Sequence, residues 1–546
     1  MVDFHERRRA TAWMRPAPEP ARATAGAAVE RVEAEPDDGC GPGTAKLTAG
    51  QLYRRVSGID RQARPMTADE LAALGDPMAM VFFRRDVFPM TVQDLLHGLP
   101  QAPAGPAQAV YLIGEAGQIP PKASPGLFRD FRYAIVRAVQ GREVDLLVST
   151  GAGTDPQTAF LQVAAWDPVA TLFNYYTRIG PSWVWAGNSW SALAPGSRGK
   201  GCFDSHINGS VVMKELRLPW SNWQSQSATI RLADDDPLRA DPLFQATVGA
   251  EGLELTIRSL VSRWTEARLA EVTKTGVVTH PVHLMRQLFT TTSVNLASSA
   301  VQSSTITATS DDLALPPGFW LNGDALLDTL ELPVTAFLPW VPAASYVASL
   351  VDFDFRLEEK ASGFSQAGDT FFAFVVPEAA HEDNDVVRQM VQSGVIPAKF
   401  AACALMVDFT NPVFSADRAR LMDYVPTAAT AVEDLAATTA QAIVAAAGAG
   451  LPATSPEARF AADWALPESD WRQVFARRID AYLGAAAARI ATRAGFDDYV
   501  RLAESRRREF KAMRLNEFEL TLPVTNIPAG APRMAMREDA TVAPRP

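Results

Sequence analysis

The chain is poor in cysteine: Cys40, Cys202 and Cys403 are the three among its 546 residues, far apart and odd in number. That count fits neither a disulfide framework nor a multi-cysteine metal site, and it suits a reducing cytoplasm. Long apolar runs are missing as well. The nearest to one, AQAIVAAAGAGLPA, is too short and too rich in small residues to span roughly 30 Å of hydrocarbon, so no membrane span is expected. Basic residues are outnumbered, with 51 Lys and Arg against 62 Asp and Glu and a net charge of -11. A general affinity for nucleic-acid phosphates, which needs clustered cations, is therefore not expected. The amino-terminal MVDFHERRRATAWMRPAPEP has arginines but no apolar stretch after them, so an export signal is not expected either. The signatures of dinucleotide loops, phosphate loops, GxSxG nucleophile elbows and HExxH metalloproteases are all lacking.

What is present is a globular composition, 47% hydrophobic and 21% charged, with ample apolar material for a core. Residues 1–48, rich in Ala, Pro, Arg and Glu, lack any apolar period and read as a disordered tail. Residues 49–248 read as an α+β region. TADELAALG carries a capping pair, Thr67 and Glu70, at a helix start. Short β-branched and aromatic runs from Ala109 onward, ending in AFLQVAAW, TLFNYYTRI and SWVWAGNS, have the spacing of an antiparallel meander with a turn at Gly180-Pro181. SVVMKELRL, with Ser210 as cap, reads as a helix ending before Pro219. In residues 249–425, Leu253, Ile257, Leu260, Val261 and Trp264 repeat at helical spacing. DTFFAFVVPEA reads there as a buried strand, DNDVVRQMVQSG and AKFAACALMVDF as short helices. Residues 426–546 read as Ala-rich helices with a loose end. The expected fold is α+β, an antiparallel meander sheet packed against helices, with a mostly helical C-terminal third.

The chemistry-bearing stretch is GCFDSHINGS, residues 201–210. Were it extended, Cys202, Asp204, His206 and Asn208 would share a face, since strand side chains alternate. At about 3.3 Å per residue Cys202 and His206 would lie roughly 13 Å apart, too far for a thiolate and imidazole pair. Asp204 and His206 can act together, as an oriented general base or as ligands of a divalent metal ion. THPVHLMRQ could supply a further ligand, His283, one helical turn beyond His280. Arg198 and Lys200, among the glycines of GSRGKG, together with Asn208 and Trp185, are candidates for binding a small-molecule substrate. These readings describe a cytosolic enzyme with catalytic Asp204 and His206, its site lying between the meander and the helix near His283. The other reading is a non-catalytic scaffold or assembly protein, in which Asn208-Gly209 is a turn and His206 satisfies buried carbonyls. His97 and His381 read as surface or cap residues, and Cys403 as a small core residue. The Ser- and Thr-rich stretch 290–310 has no reading from sequence, and oligomeric state is not encoded in any of these patterns.

Overall fold

The computed structural model describes residues 45–545 except 101–107, 125, 128, 140–142, 219, 300–305, 370–372 and 514–519. The expected tail, residues 1–48, falls almost wholly outside the described residues.

The first helix, α1 (Ala68–Ala73), starts where the capping pair places it: Glu70 N donates to Thr67 Oγ1 at 3.2 Å and Thr67 N donates to Glu70 Oε2 at 3.0 Å. The main sheet has eight strands, β1 (Leu52–Arg54), β2 (Arg64–Pro65), β3 (Gln108–Gly114), β4 (Phe131–Arg137), β5 (Leu146–Gly151), β6 (Leu161–Asp167), β7 (Leu172–Ile179) and β8 (Ser182–Asn188). Their order across the sheet is β2-β1-β8-β7-β6-β5-β4-β3, so β3 to β8 form an unbroken antiparallel meander. Gly180, at φ 54°, makes the β7–β8 turn, where a side chain would meet left-handed strain. One feature corrects the purely antiparallel expectation: β1 pairs parallel with β8, Leu52 opposite Trp183. Three residues carry too little alternation to announce a strand.

The two faces of the sheet do different work. On one, Tyr176 donates its hydroxyl to Asp76 Oδ2 at 2.6 Å and its ring packs on Phe83. On the other, Tyr175 meets Phe203 edge-on at 5.6 Å between ring centroids, and the Arg263 guanidinium lies over Trp166. Short helix α2 (Ser189–Leu193) leaves β8, and the long helix α3 (Glu251–Thr275) covers that second face. Its stripe of Leu253, Ile257, Leu260, Val261 and Trp264 is buried in the sheet's apolar cluster, each side chain worth about 1.5–3 kcal/mol out of water. Leu269 and Val272, further along the same helix, belong to a second cluster among the C-terminal helices, so α3 is shared by both cores.

Helix α4 (Pro281–Phe289) leads into β9 (Val294–Ala297), which pairs antiparallel with β10 (Val376–Ala379). β10 runs directly into α5 (His381–Gln392), followed by α6 (Ala398–Met406). The C-terminal third is helical as expected: α7 (Val432–Gly448), α8 (Pro456–Trp464), α9 (Trp471–Ile490) and α10 (Arg493–Ala512). From α10, Arg507 donates to Val375 O at 3.1 Å and pairs with Glu504 at 2.8 Å, which fixes the approach to β10 and hence the start of α5. Among the described residues no helix is long and apolar enough to cross a membrane.

The stretch from Ser210 to Leu218 is not the helix its pattern suggests. Its backbone bonds outward, Leu216 N donating to Asn295 Oδ1 at 2.9 Å and the Lys214 carbonyl accepting from Leu296 N at 2.8 Å. Tertiary partners on β9 replace the intrahelical ladder, and local propensity loses.

Candidate functional site

The region around GCFDSHINGS is compact rather than extended. Gly201–Phe203 form a single 3-10 turn ending at Asp204, and Gly209 N returns to His206 O at 2.9 Å. Gly209 has φ 76°, and a β-carbon there would stand 2.4 Å from the Ser189 carbonyl oxygen, so this turn requires glycine. The alternating face expected for a strand therefore does not exist. Phe203 and His206, which alternation would place on opposite sides, both pack on Tyr175, His206 with ring centroids 5.2 Å apart. His206 Nδ1 lies 2.9 Å from the Ser210 carbonyl oxygen, which makes it the donor in that contact.

Asn208 is buried and ties the stretch to three other elements. Its Nδ2 donates to Thr292 Oγ1 at 2.8 Å and approaches Asp383 Oδ1 at 3.5 Å, its carbonyl accepts from Trp264 Nε1 at 2.8 Å, and its side-chain amide meets that of Gln287 at 3.2 Å. Asp383 in turn accepts from Thr292 N at 3.1 Å and from the Thr292 hydroxyl. The Ser- and Thr-rich stretch thus has a role at its start: Thr291, Thr292 and Ser293 are buried, and they line this junction.

The first turn of α5 is the centre of the assembly. Glu382, Asp383, Asn384 and Asp385 are all buried. Burial, reinforced by the neighbouring Asp383, pushes the Glu382 carboxyl well above the usual range, against hydrogen bonds from Ser293 and Asn208 and the charge of Lys214. Burial likewise raises Asp383 to about 6, opposed by Thr292, Ser293 and the Arg198 guanidinium. Tyr175 is raised well above its ordinary value by burial and by Glu382. Glu382 Oε1, Tyr175 Oη and Ser210 Oγ are buried with no hydrogen-bond partner among the described residues. Glu382 lines a cavity of about 20 Å³ with Lys214, Ile257, Val261, Ser293 and His381. A carboxyl that burial biases toward its neutral form, beside a water-sized space, has the chemistry of a proton donor.

The residues singled out from sequence are dispersed around this centre. Arg198 is buried and is drawn toward Asp383. Lys200 and Asp204 border the turn and are half-buried. Cys202 is disulfide-bonded, while Cys403 is a buried free thiol, as a core residue should be; Cys40 lies outside the described residues. Trp185 is not at the site: its Nε1 donates to Asn174 Oδ1 at 2.9 Å within the sheet. His283 stacks on His280, with centroids 4.9 Å apart. Among the described residues no three His, Cys, Asp or Glu side chains converge as a metal-ligand set. His381 is half-buried as the first residue of α5, where it meets Arg258 Nη1 at 3.1 Å.

Sequence reasoning missed Tyr175, Lys214, Thr292, Glu382 and Asp383 as members of one site. The signal available was the run HEDND directly before the apolar VV, five polar residues where one cap would suffice. No family model, no curated protein and no solved structure matches the chain.

Proposed function

We propose that the chain is an enzyme acting on a small molecule by proton transfer, at a site where the loop from Asp204 to Ser210 meets the first turn of α5, with Glu382 as the acid. One observation carries the reading: a buried carboxyl, biased toward its protonated form, has an oxygen without a partner among the described residues and lines a cavity beside Lys214. A carboxylic acid kept neutral near pH 7 is the state a general acid needs. Asn208, Thr292 and Asp383 frame it, and His206 is a positioning residue acting through Tyr175. Asp204 stands half-buried at the start of that loop. No step is routed through a metal, since among the described residues no three His, Cys, Asp or Glu side chains converge as a ligand set. The net charge of -11 supports a partner other than nucleic acid. A cytoplasmic location belongs to this proposal through the scarcity of cysteine.

The cavity itself favours a second reading. About 20 Å³ holds one water and no substrate, so an enzyme must open the loop between residues 204 and 216, whereas a scaffold keeps it shut around a structural water. Dicyclohexylcarbodiimide, which attacks protonated carboxyls in apolar surroundings, separates the two. Native protein at pH 7 should become modified at Glu382, as read by peptide mass spectrometry. If Glu382 stays unmodified until the protein is unfolded, the site does not open and the scaffold reading replaces the enzyme.

A further inference from the structure

The outermost strand of the main sheet, β3, is covered along its free edge by the chain between residues 222 and 248. Gly114 N donates to Asn222 O at 2.8 Å, Gln224 N to Leu112 O at 2.9 Å and Val248 N to Val110 O at 2.9 Å. Between those contacts this part of the chain walls another cavity, of about 380 Å³ against about 20 Å³ beside Glu382, and the two share no lining residue. A volume above about 300 Å³ is that of a small-molecule site.

Its walls are fixed by the protein's own hydrogen bonds. Ile230 is buried, and its backbone N–H donates to Gln224 Oε1 at 2.7 Å. Arg231 N donates to Gly117 O at 2.6 Å, and Arg129 Nη1 donates to Arg231 O at 3.2 Å. Arg239 holds the residues that follow, donating Nη2 to Leu232 O at 3.0 Å and Nε to Ala233 O at 2.7 Å. Phe244 stands in a turn that Asp241 caps through Leu243 N at 2.9 Å, and Tyr133 of β4 donates to the same carboxylate at 2.8 Å.

Ile230, Leu232 and Phe244 give the cavity apolar lining. Arg231 and Asp234 line it as well, both exposed, and among the described residues neither side chain makes a hydrogen bond or an ion pair, with the other or with any third group. Gln224 has a similar surplus: its Oε1 is taken by Ile230, and its Nε2 has no acceptor among the described residues. One cavity therefore offers donors for an anion, an acceptor for a cation and apolar surface between. Charges kept only for solubility need no such lining, whereas a ligand pocket combines apolar walls with a few placed polar groups.

We propose that this cavity binds a zwitterion, a free α-amino acid with an apolar side chain. Arg231 and Gln224 would take the carboxylate, the guanidinium through its fork and the amide through Nε2. Asp234 would accept from the ammonium, and Ile230, Leu232 and Phe244 would take the side chain out of water. A simple carboxylate leaves Asp234 without a partner, and a simple amine leaves Arg231 without one. A molecule carrying both charges on one small frame satisfies both.

The test is calorimetric titration of the intact protein with phenylalanine and with leucine at constant ionic strength, each beside the acid that lacks its ammonium, the amine that lacks its carboxylate, and glycine. Saturable binding of at least one amino acid is expected, at least about threefold tighter than its acid or its amine, the worth of one exposed charge pair. Glycine should bind more weakly still. Arg231→Gln and Asp234→Asn, both at exposed positions, should each weaken the amino acid by a similar factor. Arg231→Gln should leave the amine unaffected and Asp234→Asn the acid, whereas a variant that merely distorts the cavity weakens both. No saturable binding of either amino acid up to about 10 mM overturns the inference. So does binding no tighter than that of the acid or the amine, or binding unchanged in either variant. None of these outcomes depends on Glu382, whose carbodiimide labelling decides the proton-transfer reading by itself.

Discussion

Replacing Glu382 by glutamine discriminates between the two states its carboxyl can adopt. In the neutral state glutamine keeps the volume, the polarity and the hydrogen bonds to Ser293 and Asn208, so the cost should stay under about 1.5 kcal/mol, the net worth of one hydrogen bond. In the ionised state glutamine would strip the counter-charge from Lys214, itself 6% exposed, and breaking a buried pair costs about 3–5 kcal/mol. For a cooperative unit of roughly 150–250 residues, about 2–4 °C of midpoint accompanies each kcal/mol, which separates a small shift from one of roughly 6–20 °C. Burial and Asp383 together favour the neutral state, so the small shift is expected at pH 7. The sign with pH follows. A carboxyl raised in the folded protein above its ordinary 4.5 contributes stability that is complete below 4.5 and is lost as pH rises through the folded value. Wild-type protein should therefore lose stability relative to Glu382→Gln as pH climbs above 4.5. Thermal unfolding by tryptophan fluorescence supplies the midpoints, and infrared difference spectra should contain a protonated-carboxyl band at pH 7 that vanishes in the variant. A midpoint loss in the larger range, or no such band, would refute the argument.

Asp383→Asn should flatten the stability profile between pH 3.8 and about 6, because a rise over that interval corresponds to about 3 kcal/mol that wild type has at low pH and loses by pH 6; urea midpoints across the interval measure it. His206→Ala should cost about 1–3 kcal/mol by leaving the Ser210 carbonyl without its donor, and metal analysis of the same two proteins decides whether Asp204, His206 and His283 ever act as ligands. Gly209→Ala should destabilise the loop severely, since the β-carbon would overlap the Ser189 carbonyl; failure of the variant to lower the thermal midpoint contradicts the turn geometry. Thiol titration of denatured, unreduced protein should find fewer than three reactive thiols, and a count of three would return Cys202 to a reduced, cytoplasmic state.

The meander was legible because its strands carry their own evidence. Val, Tyr and Trp recur between turn residues, and each strand pairs with the next in sequence, so no long-range information is needed. Helix α3 was legible for a similar reason: its apolar stripe repeats at 3.6 residues whatever it packs on. β1 was not, because a three-residue parallel partner is specified by β8 rather than by its own pattern. VVMKELRL failed in the opposite direction. Its helical spacing is real, but Asn295 offers Leu216 N a side-chain acceptor and Leu296 N offers Lys214 O a donor, and those partners lie about 80 residues downstream.

The site was harder to read because it inverts the usual meaning of polar residues. Successive residues of a helix point about 100° apart, so four in a row sample every direction around the axis. When Glu382, Asp383, Asn384 and Asp385 are all buried, the end of α5 must be enclosed on every side. The partners bear this out, since they come from different parts of the chain: Ser293 and Asn208 for Glu382, Thr292 for Asp383, Asn322 for Asn384, Ser262 for Asp385. An exposed capping run would show the same letters HEDND, and only the tertiary enclosure distinguishes the two. Enclosure also explains why the acid is concentrated there. The unpaired backbone N–H groups of a helix's first turn favour nearby negative charge, while burial disfavours it, and the two effects meet in carboxyls that stay protonated to unusually high pH. His206 stands at the edge of that enclosure, packed on Tyr175. The sequence stretch that attracted attention is thus the wall of the site, and the acid inside it comes from a helix roughly 175 residues away.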